Sequence, residues 1–439
     1  MTVLAALMMA SLGWFAHRLA RSWFAPAVIY CASWTACLAT AALMGDSIDD
    51  ISGEVVLVYL ACGVAYVVGA TAGQRFKASL VPGPIPEVWR SRTMDILLNA
   101  STLVCLALTP FFVRDLMAAG GFAEIVMHLR DVRAESVETS NLSNAFSFFR
   151  NLPVLIQVTF VLSMYASRGT WRSRLRSCTL AVLWAATGII DGSKLVALQL
   201  PFFFVCTVAI RERRVPWRLG VGMAGAFLLT FALGILFSNF GYLVGTDIGV
   251  EFNVLGETLG SYIAGGVVGF SKFYEAPDVF GSISSPLRVP MGMINGLALT
   301  LGSSPPFQLE SVHAQFVALG PNIEGNTYTA LFSYDSEGSL LVAMVWVFIV
   351  GALSGTIFRA CAVGRRWGYF VYPWVAYAAF MSAYSEQFFH SSQVAIKWVV
   401  LGLGFHLLAL SIRRAKQGEA VPAVPPLGVG VHERTRRGV

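Results

Sequence analysis

The chain is poor in charge. Only 13% of its 439 residues are Asp, Glu, Lys or Arg, against the roughly 25% with which an ordinary soluble domain solvates its surface. With 56% of residues hydrophobic and a mean hydropathy of +0.65, a soluble globular enzyme, a disordered protein and a nucleic-acid module are excluded. Metal and disulfide signatures are missing as well. No CxxC or HExxH occurs, and Cys31, Cys37, Cys62, Cys105, Cys178, Cys206 and Cys361 lie in or beside apolar stretches. They read as small buried hydrophobes, neither a disulfide framework nor a zinc site. The first apolar run, 1–16, lacks a basic leader and a small-residue cleavage site before His17 and Arg18, so it reads as a retained span.

What is abundant is long apolar runs. A helix crossing a hydrocarbon layer ~30 Å thick needs about 20 such residues. By that measure spans are expected near 1–16, 22–44, 54–73, 94–113, 151–167, 177–190, 193–210, 219–239, 337–357, 369–386 and 394–412. These eleven predict an all-α polytopic membrane protein, its integral domain over 1–414 and a disordered cytoplasmic tail over 415–439 carrying VPAVPP and RTRR. Of the 31 Lys and Arg, 23 fall in the tail and in the loops after spans one, three, five, seven and nine. The positive-inside rule then puts the N-terminus outside and the C-terminus in the cytoplasm. Trp89, Trp171, Trp217 and Trp367 flank the basic loops as an interfacial belt. The pI near 9.0 is therefore a topology signal and requires no nucleic-acid partner.

The other eight cations, Arg114, Arg130, Arg133, Arg150, Lys194, Lys272, Arg288 and Lys397, belong to an otherwise acidic outer side. Basic residues translocated against the usual bias need a local reason, and an anionic substrate group is one. Two outer segments are large, about 114–150 and 240–336. The second is far longer than a connector and is expected to fold and carry function. Within it, Val289–Gly302 is too short to span and too apolar for a solvated loop, which suits a re-entrant or interfacial segment.

Several residues are candidates for chemistry. Ser177 to Ile210 makes two passes of about 51 Å in total, where two full crossings need about 60 Å. The turn at Asp191-Gly192-Ser193-Lys194 is therefore expected below the outer surface, as a cavity-lining group or a simple Asp191–Lys194 pair. In GFAEIVMHLRDVRAESVETS, Arg130 and Arg133 share one helix face. They could grip a diphosphate or pair internally with Asp131, Glu135 and Glu138. Lys272 and Tyr274, Arg288 beside the apolar segment, and Glu386 and His390 in SEQFFHSSQ complete the set. Ser333, Asp335 or Ser336 could equally cap span nine, and Asp46, Asp49 and Asp50 could form a paired-acid metal site or an ordinary acidic turn.

The string Asn326-Thr-Tyr-Thr-Ala-Leu-Phe-Ser-Tyr-Asp-Ser-Glu-Gly338, running straight into an apolar span, resembles the end of the large periplasmic loop of Wzy-type oligosaccharide repeat-unit (O-antigen) polymerases. Gly192-Ser193-Lys194 is similar to that family's basic turn, and the span count and the late outer loop also fit. The resemblance implies a GT-C-like, inverting, metal-independent glycosyltransferase of the bacterial inner membrane, facing the periplasm and needing no cofactor. Its partners would be undecaprenyl-diphosphate-linked glycans, membrane lipids and a chain-length regulator. It assigns diphosphate binding to Arg130 or Arg133, Arg288 and Lys194, supported by Lys272, Tyr274, Tyr328 and Tyr334. The residue chemistry agrees: a lipid diphosphate leaving group needs cations in a poorly solvated site. An acceptor hydroxyl needs a base, for which His390, Glu386 and Asp335 are candidates. Lys194 stands where the family more often has Arg, and no R-x10-G pattern follows Arg130 or Arg133. An O-antigen ligase, a lipid-linked glycan flippase or transporter, and an assembly scaffold are the alternatives.

Overall fold

The apolar runs fold as helices. A computed structural model describes residues 1–74, 85–117, 151–190, 194–213, 218, 221–222, 225, 248–276, 288–300, 303–304, 306–307, 317–321, 323–325, 327–334, 339–389 and 392–417. In chain order the helices are α1 (Thr2–Ala20), α2 (Pro26–Met44), α3 (Gly53–Gly73), α4 (Arg92–Met117), α5 (Leu152–Ala166), α6 (Trp171–Ile190) and α7 (Lys194–Glu212). After them come α8 (Ile248–Glu275), α9 (Arg288–Thr300), α10 (Ala330–Tyr334), α11 (Leu340–Ala362), α12 (Arg366–Met381) and α13 (Ser392–Gln417). A hairpin of β1 (Val317–Gly320) and β2 (Ile323–Gly325), antiparallel with Val317 opposite Gly325, precedes α10.

Local signals account for several boundaries. Pro26 occupies the first turn of α2, where its missing N–H costs nothing. Ser52 caps α3 by accepting a hydrogen bond from the Val55 amide. Ser333 lies within α10, and Asp335 and Ser336 lie outside the described residues; α11 starts at Leu340, and Ser339 precedes it without a side-chain cap.

Among the described residues six helices are long and apolar enough to cross a membrane, namely α1 to α4, α11 and α13. The spans expected at 151–167 and 369–386 are the shorter helices α5 and α12, of 15 and 16 residues. Those at 177–190 and 193–210 fall in α6, which spends its first turns on Arg172, Arg174 and Arg176, and α7. The expected span at 219–239 lies almost wholly outside the described residues, as do 118–150 and the tail beyond 417.

Among the described residues the closest helix pair is α3 with α11. A Cβ built on Gly69 would lie 2.2 Å from the Phe348 carbonyl oxygen, and one on Gly73 would lie 2.1 Å from that of Ala352. Reciprocally, Gly351 and Gly355 would meet the carbonyls of Tyr66 and Ala70 at 2.5 and 2.1 Å. Two small-xxx-small motifs thus interlock, letting the backbones touch where lipid supplies no hydrophobic drive for association. Interhelical hydrogen bonds add to this: Trp398 Nε1 donates to Gln157 Oε1 at 3.0 Å, and Tyr59 Oη to the Val267 carbonyl at 2.5 Å.

The segment 240–336, expected as a large outer loop, carries α8, α9, the hairpin and α10. Residues Ala264 to Ser271 of α8 are buried without a break, and α8 packs along α2. Its glycines set what lies next to it. A Cβ on Gly266 would meet the Ala383 carbonyl at 2.4 Å, and one on Gly269 that of Thr327 at 2.5 Å. Two separate stretches, 327–334 and 382–389, are thereby seated on one helix face.

Candidate functional site

The two stretches on α8 also bond to each other. The Ala330 amide donates to the Ser382 carbonyl at 2.8 Å, and Trp34 Nε1 reaches across from α2 to Ser382 Oγ at 3.0 Å. This frame brings Tyr334 and Glu386 together. Tyr334 Oη donates to Glu386 Oε1 at 2.9 Å, and the same oxygen accepts from the amides of Phe388 at 2.7 Å and Phe389 at 2.9 Å. Phe389 N also reaches Oε2 at 3.1 Å. Glu386 is buried, and a buried carboxylate persists only when donors replace the water it has lost. The turn supplies them.

Tyr30, Tyr66, Ser382 and Gln387 join Tyr334 and Glu386 around a cavity of about 20 Å³. That is room for roughly one water, so a sugar ring does not fit without movement of the turn. Tyr30 and Tyr66 stack with centroids 4.0 Å apart. Burial, with the Glu386 carboxylate beside it, holds the Tyr334 hydroxyl protonated well above the usual tyrosine range. Burial alone pushes Tyr328 up to about 12. Tyr328 packs at a tilt on Phe332, which packs on Phe273 of α8, so Tyr328 and Tyr334 both stand in the interior of the frame.

Lys272 lies on the α8 face turned to the connection between α2 and α3. Its Nζ pairs with Asp49 Oδ2 at 2.7 Å, both side chains being partly exposed. The Asp49 amide donates to the Leu319 carbonyl at 2.7 Å, tying the same turn to the hairpin. Asp49 is thus engaged by a lysine, and among the described residues no group of three or more His, Cys, Asp or Glu side chains is placed to hold a metal. Tyr274, two residues on, lies tilted beside Phe270 with ring centroids 6.2 Å apart.

Of the remaining candidates, Lys194 and Arg288 are the first residues of α7 and α9, and their side chains lie outside the described part. Arg288 therefore does begin an apolar helix too short to span. That helix packs against α10 and α13 and exposes Met293, Ile294 and Leu297. Arg130, Arg133, Asp191, Asp335, Glu337 and His390 lie outside the described residues. Sequence reasoning missed Tyr30 and Tyr66, polar groups inside apolar spans, and His406, an ionisable residue inside the last one. That placement is itself a signal of function or of a committed partner.

Charge is segregated along the bundle. The ends of α1, α7, α11 and α13 and the starts of α4, α6 and α12 carry arginines, whereas Asp46, Asp49, Asp50, Glu54 and Glu386 stand at the other end with Arg114, Lys194, Lys272 and Lys397. Fold and charge together define a mostly helical, membrane-embedded protein with a basic end and an acidic end. No family model, no curated protein and no solved structure matches the chain.

Proposed function

We propose that this protein is an inner-membrane glycosyltransferase that polymerises undecaprenyl-diphosphate-linked oligosaccharide repeat units, built on an eleven-span, GT-C-like framework with the acidic end toward the periplasm. One observation carries the reading. The segment that resembles the polymerase family, 326–338, closes through Tyr334 onto Glu386, so two regions singled out for separate reasons form one structural unit. The segregation of arginines at the other end supports the proposed orientation.

The geometry also divides the labour. Glu386 and Tyr334 enclose a space too small for a sugar, and the Glu386 carboxylate is engaged by a hydroxyl and two amides. They act in this proposal as positioning residues that fix the turn leading to His390 and the segment leading to Asp335. The base is then His390 or Asp335. The developing diphosphate charge falls to Arg130 or Arg133, Lys194 and Arg288, with Lys272 as part of the local field. Both substrates are lipid anchored, which suits a site at the membrane surface beside the apolar helix α9.

The test is a gel of surface polysaccharide from a strain lacking the gene. A ladder reduced to one attached repeat unit supports polymerase. Loss of every repeat, with long lipid-linked chains retained, assigns a ligase instead, and an unchanged ladder discards both. In the complemented strain, Arg288→Ala and Lys194→Ala abolish polymer at unchanged protein level; normal long chains from both variants remove these residues from the site. Chelator leaves activity unchanged, and a loss rescued by Mg²⁺ or Mn²⁺ returns Asp46, Asp49 and Asp50 to consideration.

A further inference from the structure

At the basic end of the bundle, His406 of α13 is buried between two groups that can only donate. Trp89 Nε1 lies 3.0 Å from its Nδ1, and an Arg366 guanidinium nitrogen lies 3.0 Å from its Nε2. Indole N–H and guanidinium have no acceptor lone pair. A neutral imidazole has one N–H and one lone pair, so whichever nitrogen carries the proton, one N–H faces another. A protonated ring makes it two.

The two sides of this conflict are unequal. Trp89 is completely buried, ringed by Tyr165, Tyr369 and Phe370 at centroid distances of 5.5, 5.6 and 4.9 Å. It cannot move away, and its indole N–H needs an acceptor. His406 Nδ1 is that acceptor, which places the ring proton on Nε2, against Arg366. Arg366 is exposed at the first turn of α12 and is the partner that can swing. Two donors, His406 Nε2–H and the Arg366 guanidinium, then face each other with no acceptor between them.

Among the described residues none of the carboxylates of this basic end, Glu87, Asp95 and Glu212, forms a salt bridge with Arg366. Asp95 is held by Arg168 at 3.6 Å and Arg176 at 3.3 Å, and Glu212 is paired with Arg211 at 3.4 Å. Among the described residues Arg366 forms no salt bridge. We infer that Arg366 and His406 form a binding site for a phosphate-bearing anion, supplied by an anionic phospholipid headgroup or by free phosphate, whose oxygen accepts from both donors as Arg366 turns outward. Charge-assisted bonds from a guanidinium and an imidazole N–H suit a phosphate oxygen.

This site is independent of the glycan chemistry. Arg366 opens α12 and the Ser382–Phe389 turn follows its end, so the two places are separated by the length of that helix, about 24 Å. The experiment is native mass spectrometry of the full-length protein in a neutral detergent, titrated with phosphatidylglycerol, with phosphatidylcholine, and with inorganic phosphate. Wild type retains one phosphatidylglycerol about tenfold more tightly than phosphatidylcholine, whose phosphate charge is cancelled by its own choline cation; tenfold is about 1.4 kcal/mol. Arg366→Gln, at an exposed position, removes that preference, while Arg172→Gln, an exposed arginine packed over Trp171, keeps it. Displacement of the lipid by millimolar phosphate assigns the site to oxyanions in general, and resistance assigns it to the lipid. A preference that survives in Arg366→Gln, or a wild type that binds neither phosphatidylglycerol nor phosphate in an Arg366-dependent way, overturns the inference.

Discussion

Glu386 stands where two distant pieces of chain close on each other, and its donors identify what it does. Tyr334→Phe removes the hydroxyl and leaves a buried carboxylate short of one donor, which costs about 1.5–3 kcal/mol. Thermal unfolding in detergent is expected to show that loss, with Glu386→Ala losing more because two turn amides are orphaned as well. The pH dependence has a definite sign. The Tyr334 pKa is raised above its ordinary 10.0 in the folded protein. Its contribution is therefore complete below about pH 10 and is lost as pH rises toward the folded value. Wild type minus Tyr334→Phe stability should be flat from pH 6 to 9 and shrink only at strongly alkaline pH. A difference that changes between pH 6 and 8 would instead mean that another group titrates in this contact. Of this site the sequence disclosed the members Tyr334 and Glu386 but not their pairing. Nothing in a one-dimensional string joins residues 52 apart when two helices lie between them.

At the scale of elements, the helices were legible because apolar length is a strong signal. The span expected at 54–73 is α3 over Gly53–Gly73 almost residue for residue. What hydropathy does not reveal is which helices touch. The small-xxx-small pairs Gly69/Gly73 and Gly351/Gly355 are visible as motifs, yet their mutual recognition is a three-dimensional fact. Gly69→Leu or Gly355→Leu is expected to force α3 and α11 apart and lower the melting temperature by several degrees, since the obstacle is backbone with no rotamer to yield. Gly404→Ala in α13, where a Cβ meets nothing within 4 Å, should leave stability unchanged or slightly improved. Equal losses in both kinds of variant would contradict the close packing. The glycines of α8 escaped notice for a related reason: Gly266 and Gly269 matter through the carbonyls of Ala383 and Thr327, which only the fold brings near.

For the molecule as a whole, the uneven charge makes a topology prediction. Reporter fusions after residues 20, 90, 213 and 414 are expected to be active in the cytoplasm, and fusions after 50 and 325 in the periplasm. The reverse pattern would remove the outer-face site on which the proposed chemistry depends. The composition alone established a membrane protein, and the arginine distribution alone suggested its orientation. The proposed division of roles needed the fold, because it rests on burial and on a cavity of about 20 Å³.

The α3–α11 contact has a consequence for biogenesis. Its two halves are synthesised far apart in time: between Gly73 and Gly351 the ribosome must add most of the chain, which takes roughly tens of seconds at about 5–20 residues per second. Throughout that interval the glycine groove of α3 faces lipid, the insertion machinery or a temporary neighbour. The most intimate joint of the bundle is thus among the last to form, and nascent chains arrested before α11 emerges should be markedly more susceptible to membrane proteases than the finished protein.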